Sequence, residues 1–302
     1  MFPRSDETAY SLVSIDETTD PIQAPAKRTS IVADCRANVQ CRALASLLFL
    51  VLSIIFTDLS LAILHDYVPN QPPLPDIVFY LFPTPEPLAK QILSLGEICM
   101  FLCGLLALLT LILCSNRSVI IARFACIAGL LYLSRGVTIG VTLLPLPNQH
   151  IIACAPKLNQ TSLLTIGQRL AGSLAGLGTE TSGFRTACGD LIYSGHTIIT
   201  LLSALFTRRY APKYVQYILW PVSFTLCALA LASFVLSRLH YTIDVLLAYY
   251  LVSRLFHAYH IQVDQHRLLL PPTSQACEPR AQGGDLLTAI FWTPLIQFIE
   301  QH

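Results

Sequence analysis

The stretch CGDLIYSGHTIITLLSALF, residues 188–206, and its companion HYTIDVLLAYYLVSRLF, residues 240–256, decide the fold. Each opens on polar, titratable side chains and runs on into apolar sequence of membrane grade. A charged side chain at the centre of a bilayer costs about 2.5 kcal/mol or more, so polar groups lodged there are functional candidates by default. Three of them, His196, His240 and Asp244, fall within two compact motifs.

Working outward, 54% of the 302 residues are hydrophobic and only 12% are charged. A water-soluble domain of this length would lack the polar surface to cover itself. The composition therefore predicts an all-α, polytopic membrane protein. A net charge of +1 provides no basic field for a nucleic-acid partner, and none is expected.

A spanning helix needs about 20 mostly apolar residues. Six such stretches predict a six-helix transmembrane bundle: residues 43–64, 92–114, 120–142, 191–207, 216–236 and 240–259. Residues 1–41 are polar, carry Pro21 and Pro25, and read as a disordered cytosolic tail with no evident cleavable signal peptide. Residues 42–260 form the expected catalytic domain. Residues 261–302 form a cytosolic tail whose apolar piece, 286–299, is suited to lie along the membrane surface.

Basic residues orient the bundle. Arg36, Arg42, Arg117, Arg123, Arg208, Arg209, Lys213, Arg254 and Arg267 fall at one set of helix ends, which the positive-inside rule assigns to the cytosol. Both termini are then cytosolic. By parity the fourth and sixth helices begin on the exoplasmic side, so His196 and His240 share one face of the membrane.

The spacing suggests roles. Asp244 follows His240 by four residues, one helical turn, where its carboxylate can take the Nδ1 proton and leave Nε2 free as a nucleophile. His196 then serves as general acid and base. The Ser194–Gly195–His196 turn offers backbone N–H groups at a helix start, where negative charge on a phosphoryl group is favoured. No Cys or His cluster of metal-binding spacing stands in the sequence, and neither a metal nor a cofactor is expected. Covalent phosphohistidine chemistry is the economical reading.

CGDLIYSGHT (188–197) followed by HYTIDVLLAYY (240–250) resembles the paired signature motifs of the sphingomyelin synthase family, a branch of the lipid phosphate phosphatase group. Further residues agree: HDYVP (65–69) and PPLPD (72–76) resemble the family's first exoplasmic loop. YLSRGVTIGVTLLPLP (132–147) and CAPK (154–157) resemble its third helix and the loop beyond. The likeness runs over residues 43–300.

The resemblance implies a six-helix transferase that moves a phosphoryl head group from a glycerophospholipid to the primary hydroxyl of ceramide, at the lumenal face of the Golgi or the outer cell surface. His196, His240 and Asp244 match the family's catalytic triad. Phosphatidylcholine is the expected donor, with inositol-phosphorylceramide or ethanolamine-phosphorylceramide synthesis as alternatives. A lipid phosphate phosphatase is the next rival, but the KxxxxxxRP motif expected of one is not visible ahead of SGH.

Five further residues are expected at the substrate: Asp190, Arg135, Glu97, Ser194 and Arg238. Arg135, inside the third helix, requires a phosphate or carboxylate partner. Asp190 is placed to tune His196 or to meet a cationic head group, and Glu97 to line the head-group site. Asp58 is expected to face the bundle interior. Ser237–Arg238 stands where vertebrate sphingomyelin synthases are expected to carry an acidic pair, and a cation there suits an anionic or polyhydroxylated head group better. Cys154 and Cys188 share the long exoplasmic segment and are candidates for a disulfide. Asn159 heads a sequon on the same side, and Asn116 one on the cytosolic side.

Overall fold

The structure, a computed structural model, describes residues 25–148, 154–158, 162–176, 179 and 187–268. The chain divides into two units, residues 1–38 and 39–302. In the first, residues 25–38 are the start of helix α1 (Pro25–Leu64), so part of the expected tail is helical. The sequon at Asn159 and the segment 286–299 lie outside the described residues.

After α1 come the short α2 (Ile77–Leu81), then α3 (Glu86–Leu113), α4 (Arg117–Val141), α5 (Leu163–Ala175), α6 (Gly195–Tyr210), α7 (Lys213–Leu236) and α8 (Thr242–Leu268). Among the described residues, four helices are long and apolar enough to cross a membrane: residues 39–67, 86–113, 117–141 and 213–236. These are the expected first, second, third and fifth spans. The expected fourth and sixth are also helical, as α6 and α8, but α6 is only 16 residues long and α8, with 27, is less apolar than the four.

Local sequence explains the helix ends. Proline in the first turn of α3 and Pro212 just before α7 start their helices where no intrahelical N–H is needed. Ser194 caps α6 by accepting the Thr197 N–H at 3.2 Å. Helix α7 ends at Ser237, and Arg238 follows it in the left-handed region with φ 59°.

Helix α6 sits at the centre, packed against α3, α4, α7 and α8. Its apolar residues Ile198, Leu201, Leu202 and Ala204 meet Ile127 and Leu131 of α4 and Ala248, Val252 and Phe256 of α8. Its buried hydroxyls turn back onto their own helix: Thr200 donates to the His196 carbonyl at 2.6 Å and Thr207 to that of Ser203 at 2.9 Å. Such residues lower its apparent hydropathy although it is screened from lipid. Helix α1 approaches α4 closely because α4 carries glycine there. A Cβ at Gly129 would stand 2.6 Å from the Phe49 ring, and one at Gly136 2.7 Å from Phe56. Small residues at such crossings are the usual route to tight helix packing in a membrane.

At the end of the bundle that carries both motifs, a cross-linked loop layer forms. Cys154 and Cys188 are joined as a disulfide, as their shared segment suggested, with Cα atoms 5.5 Å apart. The Cys188 N–H donates to Nδ1 of the buried His65 at 2.7 Å, which leaves Nε2–H to donate to the Ala155 carbonyl at 2.9 Å. Arg169 of α5 grips Asp66 through two bonds of 2.8 Å. Helix α5 is not among the six expected stretches; Ser162 caps this 13-residue helix.

Candidate active site

Helix α6 presents His196 in its first turn, buried, with Nδ1 3.5 Å from Nε2 of His240. The rings meet edge to face with centroids 5.6 Å apart. A backbone contact, Ser194 N–H to the Asp244 carbonyl at 3.5 Å, ties the two motifs together beside them. Nε2 of His196 lies 4.0 Å from the carboxylate of Glu97, which α3 carries in its buried stretch.

The expected His240–Asp244 relation differs in form. His240 lies in the turn ahead of α8, not on it, so the two residues do not share a helix face. Asp244 is in the first turn of α8, and its Oδ2 reaches back to accept the Tyr241 N–H at 3.1 Å, as a carboxylate at the third helical position commonly does. Its Oδ1 and the His240 Nδ1 are both buried and without a hydrogen-bond partner. Nε2 of His196 is in the same condition.

Arg135 is placed beneath this pair by α4. Its Nε donates to the Tyr193 carbonyl at 2.9 Å, and its Nη2 forms an ion pair with Asp190. The guanidinium lies flat against Gly195, where a Cβ would come within 2.9 Å of Cζ. The glycine of the SGH turn is therefore required by close approach. Tyr193, just ahead, is anchored by its hydroxyl, which donates to the Leu131 carbonyl at 2.6 Å. Thr138 adds a bond of 3.0 Å to the Ile192 carbonyl.

A cavity of about 540 Å³ opens beside His196. Its polar wall holds Asp58, Arg135, Asp190 and His196, and its apolar wall holds Met100, Phe101, Leu105 and Leu108 of α3. Asp58, expected in the bundle interior, thus lines the cavity. A smaller space of about 20 Å³ adjoins both histidines.

Of the expected site residues, His196, His240, Asp244, Glu97, Arg135, Asp190 and Ser194 come together in this region. Ser194 spends its hydroxyl on the helix cap. Arg238 goes elsewhere: its Nη2 donates to the Phe79 carbonyl at 3.2 Å and its guanidinium stands 5.3 Å from the Phe79 ring centroid. It lines neither space. Sequence reasoning missed Asp76, which bonds to the first residue of α8. Its place in the PPLPD run was the available signal.

A buried pair of imidazoles thus stands on an apolar helical bundle, beside a guanidinium and a cavity. Residues 187–261, which carry both motifs, match the family model described as PAP2 superfamily C-terminal. The chain is 35% identical to phosphatidylcholine:ceramide cholinephosphotransferase 1 of Gallus gallus over 254 residues, 82% of this chain and 56% of that protein. Identity to the Homo sapiens protein of the same name is 34% over 252 residues, 82% of this chain and 57% of the relative. Homo sapiens phosphatidylcholine:ceramide cholinephosphotransferase 2 is 32% identical over 262 residues, 84% and 66% of the two chains. The chain thus spans between 56% and 66% of the length of these relatives. The resemblance to the sphingomyelin synthase family read from the motifs holds over most of the chain.

Proposed function

We propose that the protein transfers phosphocholine from phosphatidylcholine to ceramide, giving sphingomyelin and diacylglycerol. The observation that carries this reading is the buried pair of imidazole nitrogens 3.5 Å apart, at the wall of a cavity that is apolar on one side and charged on the other. An acyl chain suits the α3 side, and a phosphodiester the Arg135 side.

Two steps follow from the geometry. Nε2 of His240 attacks phosphorus, the bond from phosphorus to the diacylglycerol oxygen breaks, and His196 delivers a proton to that oxygen. Ceramide then replaces diacylglycerol, gives its hydroxyl proton to His196, and attacks the phosphohistidine. The P–N bond breaks and both imidazoles return to their starting state. Glu97, 4.0 Å from Nε2 of His196, is placed to favour that imidazole while it is protonated. Asp244, with Oδ1 unbonded, is the carboxylate available to His240 as its charge develops.

A cationic head group is favoured by the charge distribution. Asp58 and Asp190 line the cavity while Arg238 is turned onto Phe79. The arginine that argued for inositol from the sequence therefore does not face the site.

The topology that accompanies this reading has six spans, formed by α1, α3, α4, α6, α7 and α8, with both termini cytosolic. Residues 42–260 make the catalytic domain, 1–41 and 261–302 the tails, and both motifs face the exoplasm in the Golgi or plasma membrane.

Reconstitution into liposomes with labelled ceramide and, in turn, phosphatidylcholine, phosphatidylethanolamine and phosphatidylinositol tests the reading. Labelled sphingomyelin formed from phosphatidylcholine, and none from a His240→Ala variant, is the expected result. Release of free phosphocholine without any phosphosphingolipid would instead mark a phosphatase.

A further inference from the structure

The PPLPD run, residues 72–76, contributes no group to the cavity, yet the His240 turn is bonded to it. Asp76 Oδ2 accepts the Thr242 N–H at 2.7 Å, and its Oδ1 accepts the Thr242 hydroxyl at 2.9 Å and the Val78 N–H at 3.0 Å. One carboxylate thereby starts two helices, α2 and α8, which places both helix N-termini around a negative charge. Next to it, the Tyr241 hydroxyl accepts the Leu74 N–H at 2.9 Å and donates to the Pro145 carbonyl at 2.9 Å. The Tyr241 ring stacks on Phe79 with centroids 5.8 Å apart.

These bonds bear on His240 because its ring, packed against His196, has little hydrogen bonding of its own to hold it. Its Nδ1 has no hydrogen-bond partner and its Nε2 meets only His196, at 3.5 Å. Beyond packing, the position of the imidazole depends on the backbone of residues 237–242 that carries it. That backbone holds Arg238 at φ 59°, a left-handed conformation that costs a non-glycine residue about 1–2 kcal/mol. Such a turn persists only where its surroundings over-determine it. On the far side of the turn, those surroundings are Asp76, Leu74 and Phe79, in a loop stiffened by Pro72, Pro73 and Pro75.

We propose that Asp76 is a positioning residue for His240: its carboxylate clamps the start of α8 to the first loop and so holds the Nε2 of His240 at its distance from His196. The kinetic part of this rests on the transferase reading; the positional part does not. Displacing a reacting atom by about 1 Å costs on the order of 100-fold in rate, so the clamp acts on turnover and leaves lipid binding alone.

The test uses the full chain in liposomes, with Asp76→Asn and the milder Thr242→Val. Two quantities are read: transfer kinetics, and the rate at which diethylpyrocarbonate modifies His240 and His65, resolved by peptide mass spectrometry. Asp76→Asn places an amide N–H₂ where a carboxylate oxygen accepted. It is expected to lower kcat about 10- to 100-fold, with donor KM within about twofold, and to quicken His240 modification while His65 keeps its wild-type rate. Thr242→Val is expected to move the same readouts in the same direction by less. Wild-type His240 modification in Asp76→Asn overturns the proposal whatever kcat does, and equal acceleration of His65 overturns it by revealing general loosening. If the wild-type protein transfers no head group, the transferase reading falls and the modification rates alone decide the role of Asp76.

Discussion

Replacing Gly195 by alanine probes the join between helix packing and chemistry. The added Cβ would stand 2.9 Å from Cζ of Arg135, 3.0 Å from Nη2 and 3.2 Å from Nε. A guanidinium at the tip of a flexible side chain would ordinarily step aside, but this one is 4% exposed, bonded through Nε to the Tyr193 carbonyl at 2.9 Å, and paired with Asp190. It withdraws only by stretching those contacts. Overpacking of this kind costs about 1–3 kcal/mol, and the better helix propensity of alanine returns about 0.5–1 kcal/mol. The net loss of stability is therefore expected to be small, of order 1 kcal/mol. The effect on transfer is larger. If Arg135 gives a charge-assisted hydrogen bond to the phosphoryl group, loss of about 1.5–3 kcal/mol lowers kcat/KM about 10- to 150-fold.

The assay is conversion of a fluorescent ceramide in reconstituted vesicles, read beside the thermal midpoint in detergent. Arg135→Ala and the double variant complete a cycle. Because both changes act through one guanidinium, their effects should be strongly sub-additive. Gly195→Ala with wild-type kcat/KM, or full additivity with Arg135→Ala, would refute the reasoning.

Two further perturbations act away from the reacting atoms. His260 lies just past the expected sixth span; burial, with Arg209 and Arg123 adding positive charge nearby, lowers its pKa to about 3, below the ordinary value of 6.5. Protonation then favours the unfolded chain, so stability is full above pH ~6.5 and declines by about 1.4 kcal/mol per pH unit below it, levelling near the folded value. Thermal midpoints between pH 7 and pH 5 should show this slope in the wild type and lose it in His260→Gln; identical slopes would contradict it. Removing the disulfide by Cys154→Ser frees a 34-residue separation and, on loop entropy, costs about 4 kcal/mol. The midpoint should drop in non-reducing detergent, and addition of reductant should lower the wild type to match; no drop would mean that the loop is held by His65 and Arg169 alone.

Hydropathy made all six long apolar helices legible in the sequence, and the short helices between them were not. Helices α1, α3, α4 and α7 read as spans because lipid-facing positions demand apolar residues. Helix α6 is largely buried and carries Thr200, Ser203 and Thr207 inside the bundle, yet residues 191–207 still read as the fourth apolar stretch, and the helix found there is 16 residues long. Helices α2 and α5 were missed because five and 13 residues give a short period to read. In the site, residue types were legible and geometry was not. The HxxxD spacing chose His240 and Asp244, but it implied a shared helix face, whereas α8 begins at Thr242, after His240. Arg238 was singled out by charge, and its position became plain only with the ring of Phe79 beside it.

The reacting centre concentrates buried polar atoms that lack hydrogen-bond partners. Many other buried groups of the bundle are bonded: His65 uses both ring nitrogens, Tyr193 bonds Leu131 and Ser134, and Thr207 bonds its own helix, while single atoms such as Ser223 Oγ and Arg238 Nε are not. Around the two motifs Nε2 of His196, Nδ1 of His240 and Oδ1 of Asp244 are all buried with no such partner. An unsatisfied buried polar atom costs about 1–3 kcal/mol, and three on the two facing motifs form a concentrated penalty. Packing gains nothing from these groups, since Phe or Leu would fill the same space without the cost. Their retention makes sense if the missing partners arrive with substrate: charge formed on His240 as it takes the phosphoryl group turns Asp244 Oδ1 from an orphan into an acceptor, and a proton passing through His196 meets the Glu97 carboxylate 4.0 Å from its Nε2. The site is then less stable empty than occupied, and the difference is available for binding the transition state more strongly than the lipid that enters.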